Sequence, residues 1–326
     1  MDRFVSWFVV AIVYGTILSL SACGETINEK VGHLNLGIPG IRYLSGVVSF
    51  ALTGRYEGKR ENPNGFIVAR IALLSSFAVG ALRGFVYSLF AVTFKCNQNV
   101  LGLAIASFGV GFGKFISVRL GDTPKLAVAN KVFNAGIPFL KDLGVAGKMF
   151  FGYGFRTYIT LLILILAMVF FNKTRVGLNL RAVGESPSSA DAVGINVTRY
   201  KYVATRIGCG LAGLGGRIYV RQFSTGSWST NNNIEALGWL AVALVIFASW
   251  KPVHLIWGAP LFGFLFWAWT YLPALLNITS FKGRNEVLEM LPYLVTIVIL
   301  IINSMRKKKE NQPPESLGLS YFRENR

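Results

Sequence analysis

Long apolar runs alternate with short polar stretches along almost the whole chain. Each run approaches the roughly 20 residues that a helix needs to cross a bilayer. The runs lie near residues 4–22, 36–53, 66–93, 98–118, 150–171, 200–220, 235–250, 254–275 and 287–304. This pattern predicts an all-α, polytopic membrane protein with about nine transmembrane helices, within a range of about eight to ten.

The polar stretches are too short to form a second domain. The longest are residues 119–149, 172–199 and the tail at 305–326, and none of them is long enough to bury a core of its own. We therefore expect a single transmembrane domain over residues 1–304, a basic cytoplasmic tail over 305–326, and no soluble catalytic domain.

The composition agrees with this assignment, since 53% of the 326 residues are hydrophobic and only 15% are charged. The net charge of +18 could suit a nucleic-acid partner. However, most lysines and arginines lie between the apolar runs or in the tail, so we exclude nucleic-acid binding. The cysteines and histidines are too widely separated to predict a metal site or a disulfide scaffold.

The end of the first apolar run resembles a lipoprotein cleavage site. Leu20, Ser21 and Ala22 precede Cys23 in the expected pattern. A lipoprotein signal should lead into a soluble body, whereas further apolar spans follow here. We therefore interpret the run as a first transmembrane helix whose exit contains Cys23.

Basic residues suggest the orientation, because short cytoplasmic loops are enriched in Lys and Arg. The 172–199 loop and the tail are both strongly basic, and four predicted spans separate them, so both face the same side. This agreement predicts a cytoplasmic C-terminus. The 119–149 loop carries four lysines on the opposite side, so the orientation of the N-terminal half stays open.

The chain is predicted to take its energy from another subunit. All of its acidic residues are expected in loops, tails or span edges, which disfavours an ion-coupled transporter. A phosphate-binding loop needs Gly-Lys followed by Ser or Thr, whereas Gly113-Lys114 is followed by Phe115.

A group of glycines in the 200–220 run has two interpretations. Gly208, Gly210 and Gly213 match the spacing of a dinucleotide fingerprint, but that motif belongs to a strand, a turn and a helix in a soluble fold. We prefer a packing role. Gly208, Ala212 and Gly216 recur at every fourth residue, which is typical of closely packed membrane helices.

The polar segment at 177–199 predicts a short helix of about two turns, roughly 10 Å long. Ser186 suits an N-cap, Pro187 suits the first helical position, and Gly194 suits the left-handed residue that ends the helix. Ala190 and Ala192 would allow close approach to a groove on a cytoplasmic partner. The alternative is a structured loop without a partner.

The sequence from Arg181 onward, RAVGESPSSADAVGINVTRYKYVATRIGCGLAGLGG, resembles the signature of permease subunits of bacterial ATP-binding cassette importers for nucleosides, simple sugars and related solutes. Three further blocks resemble the family in the expected order. They are ETINEKVGHLNLGIPG at 25–40, CNQNVLGLAIASFGVG at 96–111, and the last three spans.

The resemblance implies a multi-subunit importer in the bacterial cytoplasmic (inner) membrane. Two permeases form the pathway, two cytoplasmic ATPases use ATP and Mg²⁺, and an extracytoplasmic solute-binding protein delivers the solute. This chain resembles the shorter member of a permease pair, which favours a heterodimer. The resemblance also implies that transport occurs by alternating access and that membrane lipid surrounds the spans. It implies that this chain binds no cofactor or metal and has no catalytic residue.

The resemblance also implies which residues transmit closure of the ATPases to the spans. They are Arg181, Gly184, Glu185, Ser186, Pro187, Ala190, Asp191, Ala192, Gly194, Ile195 and Asn196.

Two residues depart from the pattern of the family. Pro39 stands where the family usually has Glu, so no role of that carboxylate can be carried over. Arg83 interrupts an apolar span, and an intramembrane arginine normally faces the bundle interior or a water-filled path. Arg83 is therefore a pathway candidate, with a structural pair or a misplaced span end as alternatives.

Nucleosides are the first expectation for the solute, riboflavin the second and ribose-like sugars the third. Phe85, Phe108 and Trp239 could stack on a base, although most aromatic residues in such a chain face lipid or pack helices. The predicted pathway residues are Asn35, Arg83, Asn97, Asn99, Phe108 and Trp239. A self-contained secondary transporter or channel is the alternative class of function.

Overall fold

The chain is helical throughout the computed structural model, which describes residues 2–120, 147, 149, 152–223, 233–275, 288, 290–306 and 311–322. We number the helices in chain order. They are α1 Asp2–Lys30, α2 Ile38–Gly58, α3 Gly65–Ser88, α4 Gln98–Leu120, α5 Phe155–Lys173, α6 Arg175–Glu185, α7 Pro187–Ala192, α8 Val197–Phe223, α9 Asn233–Phe247, α10 Pro252–Phe266, α11 Ala268–Leu275 and α12 Leu291–Arg306.

Membrane-spanning character is clear for part of this set. Four described helices are long and apolar enough to cross a bilayer, and shorter apolar helices accompany them. Helices α2 and α8 carry more polar residues, many of them buried inside the bundle. The structure therefore supports a polytopic membrane protein, while the count of nine spans stays a prediction. The four clear candidates are Phe4–Lys30, Gly65–Thr93, Gln98–Leu120 and Phe155–Lys173.

Several connections meet at one end of the bundle, which we call the tail end because residues 311–322 lie there. Its other parts are residues 31–37, 93–98, 174–196 and 248–251. Hydrogen bonds from the tail reach all of these segments. Helices α6 and α7 therefore lie beside the ends of α1, α4 and α10.

Helix α8 lies at the centre of the bundle, where it packs most extensively against α3, α1 and α2. The small residues Gly208, Ala212 and Gly216 lie at these contacts. A β-carbon on Gly208 would overlap the Gly24 carbonyl oxygen, and one on Gly216 would overlap the Arg42 carbonyl oxygen. Ala212 is fully buried between them. Small side chains thus let α1 and α2 approach the backbone of α8.

The predicted end of the first span is wrong. Helix α1 continues to Lys30, so Cys23 lies inside a buried part of the helix instead of at its exit. Glu25 and Glu29 are likewise buried within α1, although they were expected outside the span. The helix can bury them because each carboxylate has a donor: Asn28 Nδ2 binds Glu25 at 2.8 Å, and Trp250 Nε1 binds Glu29.

The predicted span at 254–275 is divided into two helices. Helix α10 ends at Phe266, where the Trp267 N–H returns to the carbonyl of Gly263, and α11 begins at Ala268. The run is apolar throughout, so hydropathy alone does not reveal the break.

Candidate functional site

The predicted short helix at the tail end is confirmed as α7. The Ser186 hydroxyl accepts a 3.3 Å hydrogen bond from the Ser189 N–H, and Pro187 occupies the first turn. Gly194 follows the helix with φ of 85°, a left-handed conformation that glycine adopts without strain.

A second helix in this segment, α6, was not predicted. Thr174 caps it by accepting a 3.0 Å hydrogen bond from the Gly177 N–H. Leu180 and Val183 are buried, and their three-residue spacing was the available signal. The segment from Thr174 to Asn196 is therefore a pair of short helices joined at Ser186.

Helix α7 has one anchored face and one exposed face. Ala190 is buried in an apolar cluster with Val31, Phe171 and Val183, and Ile195 packs against the same cluster. On the other side Ala192 and Gly194 are exposed, and Val193 is 76% exposed. An exposed apolar tip on an anchored support is suited to contact with another protein.

The remaining coupling candidates are distributed around α7. Gly184 is buried, Arg181 is half-buried and Glu185 is exposed at the end of α6. The Asp191 carboxylate accepts a 2.8 Å hydrogen bond from the Tyr321 hydroxyl. The Asn196 side chain accepts from the Arg199 N–H at 2.8 Å and so caps α8.

An open cavity of about 660 Å³ adjoins the exposed face of this segment. Asp191 and Gly194 form one side of it, and Lys95, Arg199 and Tyr321 are among the other lining residues. The cavity gives the tail end a concave surface next to the Val193 tip, and most of the charged side chains that line it are basic.

Among the pathway candidates, Asn35 lies in a buried polar network. Its amide nitrogen is 3.3 Å from the Cys209 sulfur, its side-chain oxygen accepts from the Gly37 N–H, and its own N–H donates to Glu25. These contacts hold the turn between α1 and α2.

His33 belongs to the same network. Its Nδ1 lies 2.7 Å from the Thr205 hydroxyl, and its ring packs edge-on against Tyr87. Burial, together with the positive charge of Lys201, lowers the pKa of His33 well below its usual value. The folded chain therefore holds His33 in its neutral form at pH 7.

Arg83 is inside α3 and only 8% exposed, so the span end is not misplaced. Its guanidinium donates a 3.1 Å hydrogen bond to the Gly40 carbonyl and lies 5.6 Å from the ring centre of Phe108. Phe108 itself is 63% exposed on α4. Arg83 thus joins α2, α3 and α4 beneath an exposed aromatic ring.

The other pathway candidates lie in different places. Asn97 is exposed at the tail end, where its side-chain oxygen caps α4 by accepting from the N–H groups of Asn99 and Val100. Asn99 is exposed in the first turn of the same helix. Trp239 is half-buried on α9, which packs against α1 and α2. The structure brings Arg83 and Phe108 together and leaves the others apart.

Sequence reasoning missed Arg206, which is exposed within α8. It lies nine residues after Val197, about 13 Å from the start of the helix. The guanidinium is 5.0 Å from the ring centre of Phe85 on α3, and Tyr202, one turn earlier, contacts the Thr93 hydroxyl at 2.5 Å. Its position inside the predicted 200–220 span was the available signal.

An exposed arginine at this depth is costly against lipid, so it should face water or another protein chain. Phe85, Tyr202, Arg206 and Thr93 therefore mark a polar and aromatic surface between α3 and α8. We call these four residues the Arg206 surface. Such a surface can hold a polar ring-bearing solute by hydrogen bonding and stacking.

The described residues contain no group of three or more His, Cys, Asp or Glu side chains that could hold a metal ion.

Comparison with known proteins agrees with this architecture. Residues 8–300 match the family described as branched-chain amino acid transport system / permease component. The chain is 31% identical over 297 residues to the guanosine ABC transporter permease protein NupQ of Bacillus subtilis, covering 89% of each protein.

Two relatives come from one organism, Lactococcus lactis. The chain is 28% identical to its nucleoside ABC transporter permease protein NupC over 296 residues, covering 89% of this chain and 90% of NupC. It is 22% identical to NupB, another nucleoside permease protein, over 76% of this chain and 68% of NupB. The chain therefore belongs to the branched-chain amino acid transport system / permease component family and is a permease component of an ATP-binding cassette transporter.

Proposed function

We propose that this chain forms part of the pathway by which a nucleoside or a similar small polar metabolite is imported. Transport proceeds by alternating access, driven by ATP hydrolysis in partner ATPases. The observation that carries the proposal is the anchored α7 with its exposed Val193 tip, because it gives an ATPase a rigid point of contact. The names of the guanosine and nucleoside permeases support the choice of solute.

The orientation proposed for this chain places the tail end in the cytoplasm. Basic residues at this end include Lys95, Lys173, Arg175, Arg199 and Lys251. Lys and Arg are retained on the cytoplasmic side of bacterial membranes, and the ATPases are cytoplasmic. The same orientation brings the Val193 tip to the side where ATP is hydrolysed.

We propose that the Arg206 surface faces the translocation pathway. The two described sides of this surface, α3 and α8, are packed together, while Arg206 and Phe85 point outward from the single chain. A second permease subunit would close the path on the open side. The similarity to both NupC and NupB, which occur in one organism, supports a pair of different permeases.

The experiment is purification of the tagged chain from membranes, identification of its partners, and an ATPase assay of the complex in nanodiscs. Guanosine, riboflavin and ribose are added in turn with the binding protein. We expect an ATPase and a second permease, and stimulation by guanosine. Recovery of the chain alone, with transport independent of ATP, would support a self-contained transporter and contradict the proposal.

A further inference from the structure

The segment at 311–322 crosses the tail end of the bundle and binds separate elements along its path. It follows α12, begins beside the turn that precedes α10, and ends beside α7 and the start of α4. In order along the segment, the hydrogen bonds are Lys251 Nζ to Asn311 Oδ1 at 2.9 Å, Ser316 N to the Gly184 carbonyl at 3.1 Å, Gly318 N to the Gly32 carbonyl at 3.1 Å, Gln98 Nε2 to the Leu319 carbonyl at 3.3 Å, and Tyr321 Oη to Asp191 Oδ2 at 2.8 Å.

The middle of the segment is closely fitted to its neighbours. Pro314 and Ser316 are buried, and the Ser316 hydroxyl donates to the same Gly184 carbonyl as its N–H does. A β-carbon on Gly32 would lie 2.7 Å from the Ser316 hydroxyl oxygen, so the 311–322 segment needs a glycine there. Gly32 and Gly318 both have positive φ. This fit indicates a specific contact rather than a tail resting on the surface.

The contacts lie on both sides of Ser186, the junction between α6 and α7. Gly184, at the end of α6, is bound by Ser316, and Asp191, at the end of α7, is bound by Tyr321. Further bonds of the segment reach Gly32, just after α1, Gln98, at the start of α4, and Lys251, just before α10. The segment therefore ties the α6 and α7 pair to two long helices of the bundle.

Charge and ring contacts extend the attachment at its far end. The Ser320 hydroxyl donates to the Lys95 carbonyl at 3.4 Å, and the Lys95 ammonium lies 4.1 Å from the ring centre of Phe322. Tyr321 also lines the open cavity beside Gly194. The Val193 tip lies just beyond the bound Asp191, so the segment holds α7 without covering the tip.

We propose that residues 311–322 are a clasp that transmits movement of α7 to α1 and α4. A force applied at the Val193 tip passes through Asp191 and Gly184 into the clasp, and from the clasp to Gly32 and Gln98. Without it, α7 is attached mainly through the apolar cluster around Ala190, which permits sliding because apolar contacts are not directional. This inference rests on the proposed function, in which α7 receives the movement of the ATPase.

The test compares four variants, Asp191→Asn among them, in the complete complex of permeases, ATPases and binding protein. The first variant ends after Glu310 and lacks the clasp. The second is Tyr321→Phe, which removes only the hydroxyl that binds Asp191. The matched control is Leu319→Ala, because the Leu319 side chain is exposed and only its backbone forms hydrogen bonds in the clasp. Basal ATPase activity, solute-stimulated activity and uptake are measured for each.

We expect the shortened chain to retain the ATPase and its basal activity and to lose most of the stimulation by solute. Tyr321→Phe should lower the stimulation about threefold, since it removes one hydrogen bond to a charged group. Leu319→Ala should behave as the unaltered chain. Asp191→Asn keeps an acceptor oxygen for Tyr321 and should retain most of the stimulation.

Full stimulation in a folded chain that lacks residues 311–326 would overturn the clasp. If that chain fails to fold, Tyr321→Phe decides the question, and full stimulation in this variant overturns the clasp equally. Failure of the unaltered chain to recruit any ATPase would overturn the proposed function and the clasp together. Failure of the clasp alone and failure of the proposed function are distinguishable, because only failure of the proposed function appears in the unaltered chain.

Discussion

The Arg206 guanidinium lies 5.0 Å from the ring centre of Phe85, and this contact joins the exposed sides of α8 and α3. Both residues are exposed on the single chain, and an arginine that faces lipid is costly. The relationship is the main structural reason to place the pathway between these helices and a second subunit.

Replacement of Arg206 tests this placement. We expect Arg206→Gln to lower solute uptake about fivefold or more, because it removes a cation worth about 1 kcal/mol over the Phe85 ring. ATPase recruitment should not change. The control is Arg70→Gln, since Arg70 is also exposed over a ring, that of Phe66, but lies in the first two turns of α3. Equal uptake by both variants would remove the Arg206 surface from the pathway.

The end of α7 should be sensitive to a side chain at Gly194. Gly194 has φ of 85°, and a left-handed conformation costs a residue with a side chain about 1–3 kcal/mol. We expect Gly194→Val to reorient the Val193 tip and abolish solute-stimulated ATP hydrolysis, while capture of solute by the binding protein continues. Gly58→Val is the control, because a β-carbon there also has open space and Gly58 is at the other end of the bundle. Stimulation that survives in Gly194→Val would argue against coupling through this tip.

Labelling of cysteines tests the orientation. Cys96 is half-exposed at the tail end, whereas Cys23 and Cys209 are buried. A membrane-impermeant maleimide should therefore modify Cys96 in inside-out vesicles and leave right-side-out vesicles unmodified. Cys96→Ser should abolish the signal. Labelling from the outer face would reverse the proposed orientation. Fatty acylation of Cys23 is not expected, since its thiol is buried inside α1.

Acid should destabilise the chain through His33. Its pKa is lowered in the folded state by burial and by Lys201, so the unfolded chain binds more protons below about pH 6.5. The stabilising effect is complete above that pH and is lost as the pH falls towards the pKa of the folded state. We expect the melting temperature in detergent to fall between about pH 7.5 and about pH 5.5.

Substitution of each of the two histidines of the chain distinguishes the effect of His33 from general acid denaturation. His33→Gln should flatten the pH dependence, because Gln does not titrate. His254→Gln is the matched substitution of the other histidine, whose Nδ1 contacts the Ala248 carbonyl outside the buried network. Identical pH dependence in the unaltered chain and in His33→Gln would contradict the assignment.

Local patterns carried much of the prediction. The cap at Ser186, the proline that follows it and the glycine at 194 determine α7 through contacts within a few residues. The four-residue spacing of Gly208, Ala212 and Gly216 likewise depends only on helix periodicity. The family resemblance, carried by contiguous motifs, also identified the class of transporter before the fold was known.

The sequence by itself determined most of the apolar helices and where α7 begins and ends, because capping and hydrophobic periodicity are local properties. Only the tertiary structure decided that Glu25 and Asn35 are buried in one network, that Arg206 is exposed, and that residues 311–322 bind the end of α6 and the end of α7. Each of these depends on which helices become neighbours. Burial and partners are set by side chains as far apart in sequence as Asp191 and Tyr321, and no local pattern specifies such a pair.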